Sequence, residues 1–404
     1  MAVQSEVGRL QEVILHRPGR ELERLTPGNK DDYLFDEVVW VERAQHEHDG
    51  FAATLRALDV KVHLLTDLLS ETLAVPEARK HVLDRALDER VHGPLALDSL
   101  YNLLAGMDAP TAAQHLVAGM SKRELLEHVE EPPSLVVRGM GMDDMLVAPL
   151  PNHLFTRDPS AWIYGGVSVN AMRRRARMRE TLHYEAIYRW HPRFSDAVPR
   201  WTDGAVDAPA SLEGGDILVL GGGALLVGMS ERTTPQGIER MALRLFARGA
   251  AERIVALALP RQRAFMHLDT VMTMADERTF VTFAGLGDRP AYTIEPGDND
   301  KELAITVHPP ERMRTRSPRR SAGTTFASLR RRTTTTRLRG SSGTTAATCS
   351  PCVLGSSSPT SATSRRTRCW SGMGSRSWPS RQRARPRPRR TPVHELSGRA
   401  GRGS

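Results

Sequence analysis

Ile217-Leu218-Val219-Leu220-Gly221-Gly222-Gly223-Ala224-Leu225-Leu226-Val227 is the stretch that decides the fold. Two apolar runs of strand length meet at three glycines, which predicts a hairpin. A glycine run after a strand also suggests a phosphate loop, but the Lys-Ser/Thr ending is missing and no helix follows directly. The helix comes later. Pro235 suits a first helical turn, and Ile238, Met241, Leu245 and Phe246 share one face beyond it. Ile254-Val255-Ala256-Leu257 reads as the next strand, so the unit is hairpin, helix, strand.

The same grammar extends toward the N-terminus. Trp162-Ile163-Tyr164 and Val167-Ser168-Val169 flank Gly165-Gly166, a second tight hairpin, which makes the unit a repeat. Val13-Ile14-Leu15-His16 is a first strand stopped by Arg17-Pro18-Gly19. Residues 41 to 58 carry Ala44, Phe51, Leu55 and Leu58 at the spacing of an amphipathic helix, and Val60-Lys61-Val62-His63-Leu64 alternates as a strand. Between them and the first hairpin, roughly residues 71 to 145 change character. Leucines recur at helical spacing, Pro76 and Pro110 mark helix starts, and Ser121-Lys122-Arg123-Glu124 has the capping-box pattern. This predicts a helical subdomain inserted into an α/β domain formed by residues 1–70 and 146–313.

Toward the C-terminus lies Phe265-Met266-His267-Leu268-Asp269. Read as a strand, it places Phe265, His267 and Asp269 on one face, an imidazole and a carboxylate sharing one space. An isolated His-x-Asp is more often a core histidine tied to an aspartate, so its meaning depends on partners elsewhere. Two further acidic segments supply candidates: Phe155-Thr156-Arg157-Asp158-Pro159 and Glu213-Gly214-Gly215-Asp216. Each sets a carboxylate beside glycine or proline, where the backbone turns.

With 404 residues the chain is long enough for one large core or two ordinary ones. The opening MAVQSEVGRL turns polar at once and no apolar run reaches membrane-spanning length, so the expectation is a soluble, cytoplasmic protein. The net charge of +9 is uneven. Residues 314 to 404 hold 21 Arg, no Lys and one acid, Glu395, for +20; residues 1 to 313 carry −11, from 35 basic against 46 acidic side chains. All three cysteines, Cys349, Cys352 and Cys369, lie in the basic part, which excludes a disulfide framework or thiolate metal site from the body.

Taken in order with Leu25-Thr26-Pro27-Gly28-Asn29, Val41-Glu42-Arg43-Ala44-Gln45 and Met172-Arg173-Arg174-Arg175-Ala176-Arg177, the three acidic segments closely resemble bacterial arginine deiminase, a guanidino-group modifying enzyme. The resemblance runs over residues 5 to about 313 and includes the helical insert. It implies a five-bladed, pseudo-symmetric α/β propeller with the substrate in its central channel. It also implies roles: Asp158 and Asp269 bind the guanidinium, His267 is the general acid and base, and Glu213 tunes His267. Asn152, Phe155, Arg177 and Arg232 receive the amino-acid end of L-arginine. The chemistry agrees, because a planar, permanently cationic guanidinium pairs edge-on with carboxylates, and arginine is the natural clamp for a carboxylate. The family's reaction converts L-arginine to citrulline and ammonia through a cysteine adduct, with no metal and no organic cofactor. No membrane or specific nucleic-acid partner is implied, and a homo-oligomer is left open.

The family's nucleophile lies in a segment ending Arg-Cys-Met-Ser-Cys-Pro, which this sequence lacks. Residues 392 to 398, Pro-Val-His-Glu-Leu-Ser-Gly, can nevertheless be written CCG GTG CAT GAG CTG TCC GGT. From the second base this reads Arg-Cys-Met-Ser-Cys-Pro, so the cysteine falls out of frame near Val393 and His394. Residues 341 to 347 can be written AGC AGT GGG ACG ACG GCT GCA, which from the third base gives Gln-Trp-Asp-Asp-Gly-Cys, like the family's Gln-Trp-Asp-Asp-Gly segment. The expectation is one frame slip near Met313 and another near Ser380. On that reading Cys349-Ser350-Pro351-Cys352 is not a zinc half-site, and the arginine-rich residues 381 to 390 are not a nucleic-acid arm but part of a disordered, low-complexity tail. Two other readings stand beside a deiminase: a catalytically dead arginine-binding remnant, and a nonspecific polyanion binder acting through the tail.

Overall fold

The computed structural model describes residues 1–194 and 198–310, and the backbone of the strand Cys349–Cys352. The expectation of a disordered tail therefore falls outside the described residues, apart from that strand, which pairs antiparallel with Thr279–Phe283.

The predicted repeat is a structural one. In its first copy, strands Ser160–Ile163 and Gly166–Val169 form the hairpin, helix Glu180–Trp190 crosses over, and Arg200–Asp203 returns parallel to Gly166–Val169. In the second, Ile217–Gly221 and Ala224–Met229 form the hairpin, helix Pro235–Ala247 crosses over, and Arg253–Ala258 returns parallel to Ala224–Met229. The second crossover helix covers its sheet with an apolar face, burying Ile238, Met241, Ala242 and Leu245, whereas the first is buried along all of Glu180 to Tyr188. Gly222 and Gly223 turn the second hairpin at φ of 57° and 72°, the left-handed region glycine enters without strain. The first hairpin turns differently, at Tyr164 and Gly165, while Gly166 belongs to the strand. A Cβ on Gly166 would lie 2.5 Å from the Trp201 ring and from the Pro199 carbonyl. That glycine serves close packing rather than turn geometry.

The N-terminal unit also matches its expected order: Glu12–Leu15, helix Val41–Ala57, then Lys61–Leu64 parallel to the first strand. The helix presents a different face from the predicted one. Val41, His48 and Ala52 are buried, while Phe51 and Leu58 are exposed, because the inward ladder runs through positions 41, 48, 52 and 55. Helices then follow from Leu65–Leu73 to Leu135–Gly139, with the Ser121–Glu124 capping box formed as read. Their leucines share one continuous apolar cluster with Val167 and Val169 of the first hairpin and Ile187 of its crossover helix.

The described strands group into five sheets, and the fold is mixed α/β. The N-terminal segment stitches two of them together. Val3 and Tyr164 exchange both backbone hydrogen bonds at 2.9 Å, and Glu6 accepts from Val219 N while donating its own N–H to Val219 O. Among the described residues no helix is long and apolar enough to cross a membrane.

One expectation is corrected. Phe265-Met266-His267-Leu268-Asp269 is not a strand but two short 3-10 turns, Arg263–Phe265 and Leu268–Thr270, with His267 extended between them. Leu268 N is taken by a side chain, Asp216 Oδ1, at 2.9 Å, so no strand ladder can use it. His267 and Asp269 thus do not project from one pleated face.

Two measurements check this account. Gly166→Ala should destabilise by about 1–3 kcal/mol through overpacking, read as a lower urea midpoint. Gly165→Ala, whose Cβ meets nothing within 4 Å, should stay within about 0.5 kcal/mol. The second concerns His183, which is buried with its Nδ1 2.8 Å from His153 Nε2 and its pKa pushed down to about 3 by burial. The unfolded chain takes up a proton there near pH 6.5 while the folded chain does not, so stability is lost as pH falls below 6.5. His183→Asn should flatten the stability profile between pH 6.5 and 5 by about 1.4 kcal/mol per unit; coincident slopes would refute the assignment.

Candidate active site

Asp158 follows the turn Pro151–Leu154 and is held at the contact of the two repeats. Its carbonyl accepts from Gly214 N at 3.0 Å and from Asn170 Nδ2 at 2.7 Å. Its carboxylate accepts from Gly215 N at 3.1 Å on Oδ1 and from Arg177 Nη1 at 2.6 Å on Oδ2. Burial alone would raise its pKa, but the charges of Arg177 and His267 outweigh burial and hold it below the usual carboxylate range. Beside it, Arg157 reaches Glu6 with two parallel bonds of 3.0 and 2.7 Å, anchoring the segment to the N-terminal stitch.

Glu213 is fully buried. Its Oε1 accepts from Arg173 N at 3.0 Å, and its own N–H donates to Thr233 Oγ1 at 3.0 Å. Its Oε2 lies 2.7 Å from His267 Nε2. On the other side of the ring, His267 Nδ1 is 3.6 Å from Asp158 Oδ1. The imidazole is therefore bracketed by two carboxylates. Burial would lower its pKa, yet the hydrogen bond it donates to Glu213 and the charge of Asp158 raise it to about 9. At neutral pH the ring is an imidazolium, a proton donor aimed into the site. Gly215 makes this approach sterically open, since a Cβ there would stand 2.8 Å from both Asp158 Oδ1 and His267 Nδ1.

Asp269 is exposed, yet crowded enough by protein that burial raises its pKa to about 6, with the Asp158 carboxylate adding to the rise. Solvent contact makes that desolvation partial, while the repulsion from Asp158 acts in the same direction. Asn152 is buried and its Nδ2 donates to Tyr33 O at 2.8 Å. Phe155 is half exposed, with the Arg177 guanidinium carbon 5.9 Å from its ring centre.

Neither arginine expected to clamp a carboxylate is unpaired. Arg177 is buried between Asp158 and Glu180, and Arg232 bonds Glu231 at 2.9 Å with Glu213 at 3.5 Å. Arg173, Arg174 and Arg175 are exposed, and of these Arg174 pairs with Glu231 at 2.9 Å.

Two carboxylates were missed by the sequence reading. Asp216 is buried, accepts from Leu268 N and from Ser230 Oγ at 2.7 Å, and has its pKa raised to about 7 by burial. It fixes the backbone after His267, and its only signal was its place in the Glu-Gly-Gly-Asp segment. Glu180 is also raised to about 7 by burial and carries the i,i+3 signal from Arg177.

Asp158, Glu213 and His267 form the one group among the described residues whose ligand atoms, all within 4.8 Å of one another, can hold a metal ion. Its donors already face each other in acid–base pairs, and a ring with a pKa near 9 holds a proton where a metal would need a lone pair. The arrangement suits proton transfer better than metal binding.

Among solved structures the chain is similar to a dimethylarginine dimethylaminohydrolase in an adduct with S-methyl-L-thiocitrulline, at 16% identity and a TM-score of 0.36, over 66% of this chain and 67% of that one. It is likewise similar to the dimethylarginine dimethylaminohydrolase of Pseudomonas aeruginosa, a cysteine-to-serine mutant complexed with citrulline, at 17% identity and a TM-score of 0.35, over 66% of each chain. The matched region spans about two thirds of those structures. At the level of sequence, the family described as Arginine deiminase matches residues 31–314, most of the chain. The chain thus belongs to the arginine deiminase family, hydrolases acting on guanidino C–N bonds.

Proposed function

We propose that this is an L-arginine site of deiminase type, built to release citrulline and ammonia, in a chain whose reading frame leaves out the nucleophile. The observation that carries the reading is the His267 ring bracketed by Glu213 and Asp158. A buried imidazolium beside carboxylates supplies the proton that a departing ammonia needs, and the same ring, once neutral, takes a proton from water. Asp158 and Asp269 pair with the guanidinium, while Asn152, Phe155, Arg177 and Arg232 receive the amino-acid end. Covalent attack then belongs to the thiolate of the Arg-Cys-Met-Ser-Cys-Pro segment, with no metal or organic cofactor.

Residues 1–313 contain no cysteine, and the three beyond them stand outside that motif. As translated, the chain is an arginine binder without turnover. The two out-of-frame signatures and the loss of acids and lysine after residue 313 support a frame slip as the cause. The hairpin, helix, strand unit repeated in two of the described sheets supports reading the body as a five-bladed propeller. The helices from Leu65–Leu73 to Leu135–Gly139 are then its inserted subdomain, and the cytoplasm is the compartment such arginine catabolism implies.

The purified chain should bind L-arginine in calorimetry and form no citrulline, and Asp158→Asn should weaken binding about 10- to 100-fold by removing a charge-assisted hydrogen bond. Citrulline formation by the chain as translated would overturn the cysteine argument. Genomic sequencing across codon 313 should find the slip, and the frame-restored protein should turn over arginine; an uninterrupted frame sinks that part. Salt-sensitive DNA binding that vanishes on deleting residues 314–404 would favour the polyanion reading instead.

Glu213→Gln should lower the His267 pKa from about 9 by roughly a unit or more, followed by NMR titration of the ring. The sign for stability follows: a raised histidine pKa stabilises fully below about 6.5, and that contribution fades as pH rises through about 9. The parent should therefore lose its advantage over Glu213→Gln across that window. An unmoved His267 pKa would remove Glu213 from its proposed role.

A further inference from the structure

The contacts of Arg177 contain an asymmetry that bears on how substrate enters. One edge of its guanidinium is held by Glu180: Nε lies 3.1 Å from each Glu180 oxygen and Nη2 lies 2.9 Å from Oε2. Nη2 also donates to the carbonyls of Asn152 at 3.2 Å and Phe155 at 3.3 Å. The remaining nitrogen, Nη1, donates to Asp158 Oδ2 at 2.6 Å. Toward Glu180 the contact is a fork on a fully buried carboxylate, set three residues away in the first turn of helix Glu180–Trp190. Toward Asp158 it is a single arm. Two-point pairs of planar groups hold in geometry as well as charge, so Asp158 is the partner that Arg177 releases first.

Asp158 is also the carboxylate assigned to the substrate guanidinium. Its Oδ1 accepts from Gly215 N and its Oδ2 from Arg177, so an incoming guanidinium meets a carboxylate already neutralised by one of its own kind. Arg177 keeps its Glu180 partner without Asp158, so giving up its single bond to Asp158 lets each guanidinium stand on its own buried carboxylate instead of two sharing one. Binding is therefore an exchange.

Resting on the reading of Asp158 as the guanidinium acceptor, we propose that Arg177 is a resident guanidinium that competes with L-arginine for Asp158. Glu180 is the positioning residue that retains Arg177 when Asp158 is ceded, and the planar guanidinium pivots as a whole on that carboxylate so that Nη1 faces the substrate's carboxylate. The site then couples its two ends. Filling Asp158 releases the arm that completes the carboxylate clamp, and a ligand lacking a carboxylate displaces Arg177 without that return.

Methylguanidine, which has no carboxylate, is the discriminating probe, titrated into the full-length chain by calorimetry beside L-arginine. Arg177→Met should bind methylguanidine about tenfold tighter than the parent, because the competing state is removed, while L-arginine should gain less or weaken. Arg177→Lys, which returns a charge, should cancel the gain. Glu180→Gln should weaken L-arginine more than methylguanidine, a split that general loss of structure does not produce. Should Arg177→Met fail to fold, the side-chain Nε–H resonance of Arg177 in the parent decides. It should shift as methylguanidine saturates the site, and an unmoved resonance overturns the exchange. Methylguanidine binding to the parent with no gain in folded Arg177→Met overturns this inference alone, whereas no binding of either ligand to any chain overturns the arginine-site reading as well.

Discussion

The His267 imidazolium between Glu213 and Asp158 is the charge around which the site is organised. Glu180, Glu213, Asp216 and Asp158 are all buried, and four carboxylates in one region cannot all ionise without cations among them. His267 serves two of them, Arg177 serves Asp158 and Glu180, and Arg232 lies beside Glu213. Asp216 has no such cation in its hydrogen bonds and leans on neutral donors, Ser230 and Leu268 N. Burial raises its pKa and that of Glu180 to about 7, in Glu180 despite the opposing charge of Arg177. A site that balances its own charge this closely can fold before any ligand arrives, and it admits a cationic ligand only by rearranging that balance.

The scaffold makes such packing possible by bringing turns, not strands, to the centre. Asp158, Glu213 and His267 each sit just outside a regular strand, where backbone N–H groups are open to side chains. Gly215 N and Leu268 N both go to carboxylates in this way. The strands are the rigid part, with the repeated hairpin, helix, strand units fixing where the turns end. Glu6 closes the arrangement from a distance, holding Arg157 with its carboxylate and Val219 with its backbone, so the residue before Asp158 is tied to the second hairpin.

Much of this was legible in the sequence, and the failures have physical causes. Both hairpins, the second crossover helix and its returning strand follow from period and glycine placement, because burial on a sheet imposes those patterns, whereas the first crossover helix Glu180–Trp190 is buried on nearly every face and shows no amphipathic period. The turn at Tyr164 and Gly165 was off by one residue, since the second glycine answers to the Trp201 ring and not to turn geometry. The helix Val41–Ala57 was right in extent and wrong in face, because Phe51 and Leu58 are apolar and exposed while His48 is polar and buried. Alternation misled most at His267. Phe-x-His-x-Asp looks like a strand, but a side-chain acceptor, Asp216, captures the backbone N–H that a ladder would need. The candidate acids were visible as motifs; their pairing was not, for partners 54 residues apart such as Glu213 and His267 carry no local signal.

The division of labour along the chain gives the missing thiol its meaning. The carboxylates and cations of the proposed binding half are encoded before the composition changes at residue 313, and among the described residues Asp158, Glu180 and Glu213 pair with Arg177, Arg232 and His267. Charge pairing, the costliest requirement of a buried polar site, is therefore met among the described residues for these three acids, with Asp216 resting on neutral donors. A nucleophile adds chemistry to such a site but is not needed to hold it together, since a thiol contributes little to balancing buried carboxylates. On the function proposed above, recognition and attack are in that sense separable, since the carboxylates and cations of the proposed site keep their pairings without a thiol.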